Sequence, residues 1–306
     1  MSLRSKISGK FKLVVLPLAV YGIFGLSPFW MHKATPAPDV HLTNQSASSL
    51  KDIKTPFKFV VIGDNRTGVD IYKKFVTDIV KDSPVLVVNT GDVIADGGSG
   101  KEWTEFVNAS APLTMPYFLA PGNHEINGRT AEDFYKQEVR QPGTGLYYSF
   151  DAGNCLFLVL DSEQPGHVAK VEGEQYAFAE EQLKNSDKKF KFVFIHRPLY
   201  PGKFGMHLTD SLNSHKELRD RLESLFEKYK VTVLFCGHEH MYNRQYVNGV
   251  THIITGGGGA PLYTSDKRGG FHHYVLVSVN DDSVCIKVID DKGNIRDEFS
   301  IVKDAA

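Results

Sequence analysis

The sequence predicts an α/β protein in which two mixed β-sheets pack face to face, with helices on their outer faces. Three observations support this fold class. From Phe57 onward, apolar strand-like runs alternate with helical runs, as they do when parallel strands are joined by helices. A hairpin-like pair of strands interrupts the alternation in the middle of the chain. Several further strand-like runs, with little helix between them, close the sequence.

The first elements alternate between strand and helix. FKFVVIGD is predicted as a strand and VDIYKKFVTDIVKD as a helix, because Tyr72, Phe75 and Ile79 share one helical face. VLVVNTGD and PYFLAPGNHE are predicted as the next strands, with a polar segment between them. This order indicates parallel central strands.

The middle of the chain begins with a hairpin. LYYSFDAGNCLFLVLDSE reads as two antiparallel strands around the turn Ala152-Gly153-Asn154. A helix at about Glu174–Asn185, the strand KFVFIHR and a long helix follow. Ser214 and Glu217 are predicted to form a capping box at the start of that helix. The remaining predicted strands are VLFCGHEH, YNRQYV, THIITG, HHYVLVSV, SVCIKVID and IRDEFSIV.

The N-terminal segment 1–31 differs from the rest of the chain. Several basic residues precede the uncharged stretch Leu13–Met31, which is long enough to span or nearly span a bilayer. We expect an uncleaved signal anchor, a transmembrane segment whose basic flank stays in the cytoplasm and places the rest of the chain in the periplasm or outside the cell. The alternative is a cleaved signal peptide and a secreted protein, but no convincing cleavage site follows.

Residues 32–56 are rich in Pro, Ser, Ala and Asn and show no periodicity, which predicts a flexible linker. Residues 57–303 are then predicted to form the main domain.

The whole chain of 306 residues has a formal net charge of -1, which argues against a nucleic-acid partner bound by bulk electrostatics. Cys155, Cys236 and Cys285 lie far apart in apolar runs and are predicted to be buried thiols. Nothing in the sequence indicates the oligomeric state.

Five of the apolar runs end in polar side chains that can bind metals. A single Asp after a strand is usually part of a turn. The carboxyl ends of parallel strands meet at one crevice, however, so five such ends indicate a shared site. The residues concerned are Asp64, Asp92, Asn123-His124-Glu125, His196 and the pair His238 and His240.

The residue types at these strand ends indicate the chemistry. Carboxylate, amide oxygen and imidazole without thiolate suit divalent Mn, Fe, Zn or Mg. Six candidate ligands are too many for one ion but fit two ions that share a bridging carboxylate. Two ions about 3.5–4 Å apart clamp the attacking and leaving oxygens of an in-line displacement. The pattern therefore predicts phosphate-ester hydrolysis.

The ordered motifs GDNR, GDVIADG, GNHE, FIHR and GHEHMYNR resemble those of the calcineurin-like metallophosphoesterases over nearly all of Phe57–Val302. The segments YYSFDAGNCLFLVLDSE and ITGGGGAPLY are similar to the purple-acid-phosphatase-like branch. The resemblance implies a four-layer α/β/β/α sandwich. It also implies a dinuclear hydrolase in which a metal-bridging hydroxide attacks a small-molecule phosphate ester, with monoesters favoured over diesters.

The resemblance also implies individual roles. Asp92 would bridge the ions, His124 would face the leaving group, and Glu125 would support the site without binding metal. The other metal ligands would be Asp64 and His240 for the first ion, and Asn123, His196 and His238 for the second.

Two departures from the family pattern affect the first ion. Ala95 stands where purple acid phosphatases have a tyrosine ligand, so no iron(III)-tyrosinate colour is expected. Arg66 stands where many members have a histidine, and a guanidinium cannot bind a metal. We expect Arg66 to bind a substrate phosphate oxygen instead, with Arg244 as a second substrate-binding candidate. The alternative to an enzyme is a non-catalytic module that has lost the first metal site.

Overall fold

The computed structural model describes residues 47–126, 131–139, 141–142 and 146–303. The predicted anchor and residues 32–46 of the predicted linker lie outside these ranges. The remainder of that linker begins with a 3-10 turn, Ala47–Leu50, in which Leu50 is buried and its carbonyl accepts a hydrogen bond from Gly153 N (3.1 Å). Over the described ranges, no helix combines the length and apolar character needed to cross a bilayer.

The described residues form twelve strands and six α-helices. The strands are β1 (Phe57–Ile62), β2 (Leu86–Asn89), β3 (Tyr117–Leu119), β4 (Tyr148–Ala152), β5 (Cys155–Val159), β6 (Phe190–Ile195), β7 (Val233–Cys236), β8 (Tyr242–Val247), β9 (Val250–Thr255), β10 (His273–Val279), β11 (Ser283–Asp290) and β12 (Ile295–Val302). The helices are α1 (Val69–Asp82), α2 (Gly100–Ser110), α3 (Asn123–Ile126), α4 (Ala131–Glu138), α5 (Gly173–Asn185) and α6 (Lys216–Lys228).

The strands form two six-stranded sheets. Sheet A has the order β12-β11-β10-β1-β2-β3, and sheet B has the order β4-β5-β6-β7-β9-β8. Strands β1, β2 and β3 are parallel, as are β5, β6, β7 and β9, whereas β10 to β12, β4 and β8 pair antiparallel. Both sheets are therefore mixed, and in each the parallel strands direct their carboxyl ends to one edge.

Three hydrophobic clusters hold the layers together. The cluster between the sheets is rich in aromatic side chains, including Phe59, Phe157 and Phe192, whose rings pack at centroid distances of 4.9–5.5 Å. A second cluster joins sheet A to α1, α2 and α4, and a third joins sheet B to α5 and α6. Because both faces of each sheet are covered, the central strands are almost continuously apolar. The predicted four-layer α/β/β/α sandwich is confirmed.

Two details of the prediction are wrong. Helix α6 has no capping box, because His215 is its N-cap residue without a side-chain hydrogen bond and the Ser214 hydroxyl bonds to the Thr209 carbonyl instead. Cys285 is only partly buried, since it lies on β11, whereas Cys155 and Cys236 are buried as expected.

Candidate functional site

The predicted metal ligands meet where the carboxyl ends of the two sheets adjoin. Sheet A supplies the three oxygen ligands, which follow β1, β2 and β3: Asp64, Asp92 and Asn123. Sheet B supplies the three histidines, which follow β6 and β7: His196, His238 and His240. The convergence predicted from the strand ends is therefore observed, and neither sheet can form the site alone.

Close packing at these strand ends explains the glycine that precedes four of the six predicted ligands. A Cβ atom on Gly237 would lie 2.3 Å from Asp64 Oδ2, and one on Gly122 would lie 2.4 Å from Asp92 N. Asp64, Asp92 and His238 adopt left-handed backbone angles, with φ of 56°, 58° and 68°. Non-glycine residues avoid this region unless the surrounding structure holds them there. The chain thus accepts strain where it brings the side chains together.

The ligands predicted for the second ion are in mutual contact. Asn123 Oδ1 lies 3.1 Å from His196 Nε2 and 3.0 Å from His238 Nδ1, and the two imidazole nitrogens are 3.2 Å apart. Asp92 Oδ1 completes the group at 3.4 Å from His196 Nε2. Ligand atoms about 2.0–2.2 Å from one tetrahedral ion lie roughly 3.3–3.6 Å from each other. The four atoms are therefore spaced to share one cation.

Hydrogen bonds orient the histidines for metal binding. His196 Nδ1 contacts the Thr90 carbonyl (2.9 Å) and His240 Nδ1 contacts the Pro261 carbonyl (2.7 Å), so in both rings Nδ1 carries the proton and Nε2 is free to bind. Burial lowers the pKa of His238 to about 3 and that of His240 to about 4, and it lowers the pKa of His196 well below its usual value. Neutral imidazole is the form that binds metals.

The group predicted for the first ion consists of Asp64, Asp92 and His240, whose candidate ligand atoms lie within 4.8 Å of one another. His240 Nε2 is 3.5 Å from Asp64 Oδ1. Burial, followed by the charge of Asp92, raises the pKa of Asp64 well above its usual range. A cation between the two carboxylates would remove this repulsion. The donor chemistry and spacing of both groups therefore fit two divalent cations.

Arg66 and His124 both flank the second oxygen of Asp92. Arg66 Nε lies 3.4 Å and His124 Nε2 lies 3.9 Å from Asp92 Oδ2, and both side chains are partly exposed, by 17% and 28%. His124 Nδ1 contacts the Ala95 carbonyl at 2.7 Å, so its Nε2 faces the site. Both residues thus lie where a substrate can reach them.

Glu125 stabilises the loops rather than facing the cluster. Its buried carboxylate accepts hydrogen bonds from the backbone NH groups of Asp92, Val93, Ile94 and Gly122, at 2.7–3.2 Å. Burial, followed by the charge of Asp92, raises the pKa of Glu125 to about 8. The supporting position predicted for Glu125 agrees with these contacts.

A rim loop, residues 201–211, covers the second-ion side and was largely missed by the sequence reasoning. Its His207 ring lies 4.2 Å from the His238 ring. The buried Glu239 carboxylate holds the loop by accepting hydrogen bonds from Met206 N (2.8 Å) and His207 N (3.2 Å). The acidic residue inside GHEH was the available sequence signal for this contact.

A chain of ion pairs, buried at Glu163 and Arg197 but exposed at Asp210, supports His238 from its far side. Arg197 contacts the Glu163 carboxylate at 2.8–3.0 Å and also pairs with Asp210. Asp210 Oδ2 lies 3.4 Å from His238 Nε2. A carboxylate at one imidazole nitrogen orients the other nitrogen toward a metal. No sequence motif indicates these ion pairs, because the residues that form them are far apart in the sequence.

Arg244 is placed away from the cluster. Its Nε atom pairs with Asp297 at 2.8 Å, and its guanidinium lies 4.1 Å from the centre of the Phe299 ring. These partners belong to β12 of sheet A, so Arg244 connects the edges of the two sheets. The guanidinium of Arg244 is thus already ion-paired, and its role in substrate binding stays a prediction.

Comparison with known proteins agrees with this geometry. Residues 57–242 match the family model described as calcineurin-like phosphoesterase. The chain is 28% identical over 236 residues to "Probable inactive purple acid phosphatase 1" of Arabidopsis thaliana, covering 64% of this chain and 38% of the relative. It is 26% identical over 272 residues to a nucleotide pyrophosphatase/phosphodiesterase of Hordeum vulgare, covering 72% of each. It thus spans little more than a third of the length of the Arabidopsis protein.

Solved structures show the same fold at low sequence identity. A purple acid phosphatase from yellow lupin (Lupinus luteus) seeds superimposes with a TM-score of 0.68 at 20% identity, covering 83% of this chain and 55% of the lupin chain. A dimetal phosphatase from Danio rerio superimposes with a TM-score of 0.60 at 15% identity, covering 81% and 99%. The family match, the fold and the converging strand ends together identify this chain as a member of the calcineurin-like phosphoesterase family.

Proposed function

We propose that this protein is a dinuclear metal-dependent phosphoesterase that hydrolyses small-molecule phosphate monoesters. The observation that carries the proposal is the convergence of six oxygen and nitrogen ligands from both sheets. The ligand atoms of Asn123, His196 and His238 lie 3.0–3.2 Å from one another, and Asp92 Oδ1 lies 3.4 Å from His196 Nε2. Asp92 directs its Oδ1 toward this second-ion group, while its Oδ2 faces Arg66 and His124. A carboxylate with its two oxygens on different sides is suited to bridge two ions.

Two bound divalent ions supply Lewis acidity and a nucleophile that forms at neutral pH. The side chains around them bind and orient the ester. Arg66 offers a forked set of donors to a phosphoryl oxygen. His124 donates a proton to the departing oxygen from Nε2, while its Nδ1 proton stays bonded to the Ala95 carbonyl. The rim loop lies beside His238, with the His207 ring 4.2 Å from the His238 ring.

Two alternatives remain within the proposal. Phosphodiesters are the second substrate class, because relatives from Hordeum vulgare and Arcobacter nitrofigilis are named as phosphodiesterases. A non-catalytic metal- or phosphate-binding module is the alternative from another functional class. Arg66 favours this non-catalytic alternative, because its Nε lies 3.4 Å from Asp92 Oδ2, at a position where the family commonly has a metal ligand. Several Arabidopsis relatives are also named inactive.

Metal analysis combined with a substrate screen tests these possibilities. The full-length protein is supplied with Mn, Zn, Fe or Mg, its metal content is measured, and matched phosphate monoesters and diesters are assayed. We expect close to two ions per chain and higher kcat/KM for monoesters. One ion or none, with no turnover of either class, would favour the binding module, whereas higher kcat/KM for diesters would reassign the substrate class.

A further inference from the structure

Tyr263 lies against a predicted ligand of the first ion. Its ring stacks on the His240 ring, with centroids 4.0 Å apart and planes inclined by 13°. Its hydroxyl oxygen is 3.3 Å from His240 Nε2. Since His240 Nδ1 carries the proton that contacts the Pro261 carbonyl, Nε2 accepts and the phenol donates.

The backbone around Tyr263 fixes this position. The glycine-rich segment before it is hydrogen-bonded to the end of β1, through Gly258 N to Gly63 O (2.8 Å) and Ala260 N to Asp64 O (2.8 Å). The Tyr263 ring also lies 5.4 Å from the His207 ring of the rim loop. Tyr263 is therefore positioned between the first-ion ligands and the rim.

Metal binding would deprive the Tyr263 hydroxyl of its partner. A cation held by His240 would take up the Nε2 lone pair to which the Tyr263 hydroxyl donates. The hydroxyl proton then needs another acceptor, and an anionic oxygen above the first ion would provide one.

We propose that Tyr263 donates a hydrogen bond to a phosphoryl oxygen of the substrate, on the first-ion side and together with Arg66. The inference rests on the proposed phosphoesterase function. It assigns a phosphate-binding group to the segment that directly follows the glycine run Gly256–Gly259.

Calorimetric titration of inorganic phosphate into the full-length, Mn²⁺-loaded protein tests this proposal. Tyr263→Phe keeps the stacked ring and removes only the hydroxyl. Loss of one hydrogen bond to a charged group should weaken phosphate binding by about 10- to 100-fold, while the Mn²⁺ content stays at the wild-type value. Tyr200→Phe is the matched control, because Tyr200 packs at 5.3 Å against a different histidine, His252, and should leave the phosphate Kd unchanged.

The outcomes separate this inference from the function on which it rests. Equal phosphate affinity in wild type and Tyr263→Phe, with Mn²⁺ retained, would overturn the role of Tyr263 alone. A wild-type protein that holds two ions but binds no phosphate would overturn the proposed function and this role with it. A visible tyrosinate-to-iron(III) band in the iron-loaded protein that disappears in Tyr263→Phe would make Tyr263 a ligand and so refute the donor role.

Discussion

At the scale of single residues, a hydrogen bond at one nitrogen of a histidine ring leaves the other nitrogen free to bind a metal or a substrate. His196 and His240 each use Nδ1 for a backbone carbonyl and keep Nε2 for the cluster. His124 uses Nδ1 in the same way, at 2.7 Å from the Ala95 carbonyl, but remains 28% exposed. Exposure leaves His124 accessible to a leaving group, whereas the buried rings face only their neighbours.

His124 should affect substrates according to their leaving groups. An alkoxide needs a proton, whereas p-nitrophenolate leaves readily without one. His124→Gln is expected to lower kcat by about 10²–10⁴-fold for an alkyl phosphate, and by much less for p-nitrophenyl phosphate. Steady-state kinetics on both esters, with metal content measured in parallel, checks this expectation. Equal losses on both would leave His124 with a positioning role only.

Asp161 provides a pH dependence that is independent of the metal ligands. Burial raises its pKa to about 8, and its Oδ2 has no hydrogen-bond partner within the described part of the chain. An acid whose pKa is higher in the folded protein stabilises the fold at low pH. That stabilisation is lost as the pH rises from the unfolded pKa, about 4, toward 8.

Asp161→Asn should therefore reduce the loss of stability with rising pH. We expect a smaller fall in the free energy of unfolding between pH 5 and pH 8, with a gain of about 1–3 kcal/mol at pH 8. Urea unfolding at several pH values measures this. Asp133→Asn is a surface control, and identical pH slopes for wild type and Asp161→Asn would contradict the expectation.

At the scale of elements, the rim loop depends on Glu239 and on one glycine. A Cβ atom at Gly205 would lie 2.2 Å from Glu239 Oε2, the carboxylate that binds Met206 N and His207 N. Either the loop or the carboxylate must move when this glycine is replaced. The position of His207 over His238 would change with it.

Gly205→Ala should impair catalysis while leaving the fold intact. Displacing a loop at the site is expected to lower kcat/KM by about 10-fold or more, since small misplacements can reach about 10²-fold. Gly202→Ala in the same loop is the control, because its Cβ would meet nothing closer than Met241 Sδ, at 3.0 Å, in a flexible side chain. Similar kcat/KM for the two variants would show that the loop does not need Gly205.

The elements were easier to predict than the contacts between them. Hydrophobic periodicity predicted the strands and helices. Five strand ends predicted the ligand set, because parallel strands bring their carboxyl ends to one edge of a sheet whatever the side-chain packing. The chain Glu163–Arg197–Asp210 and the stacking of Tyr263 on His240 depend on the packing of distant segments. The ion pair of Arg244 was not predicted for the same reason, since its partner Asp297 is 53 positions away on the other sheet.

At the scale of the whole molecule, the site joins the two sheets. Asp64, Asp92 and Asn123 come from sheet A, and the three histidines come from sheet B. A ligand that binds only the folded protein stabilises it by mass action. Ions in this site would therefore stabilise the packing of the sheets as well as serve the reaction.

Metal should raise the melting temperature of the wild type, and Asp92→Asn should abolish most of that rise. At a metal concentration about 100 times Kd the stabilisation is about 2.7 kcal/mol, which corresponds to a Tm increase of about 5–10 °C for a domain of this size. Differential scanning calorimetry with and without a chelator measures it. Full metal-dependent stabilisation of Asp92→Asn would refute its bridging position.

The order of strands in sheet A also has a consequence for how the chain folds. Strand β1 pairs with β10, so Phe57 lies beside Val279, and the pairing must wait until almost the whole chain is available. A chain that ended at residue 242, where the family match stops, would leave β1 and β7 without their neighbours β10 and β9. Such unpaired edges template association between chains. We therefore expect a nascent or truncated chain of that length to aggregate unless a chaperone covers these edges, and folding to become productive only after the last strands emerge.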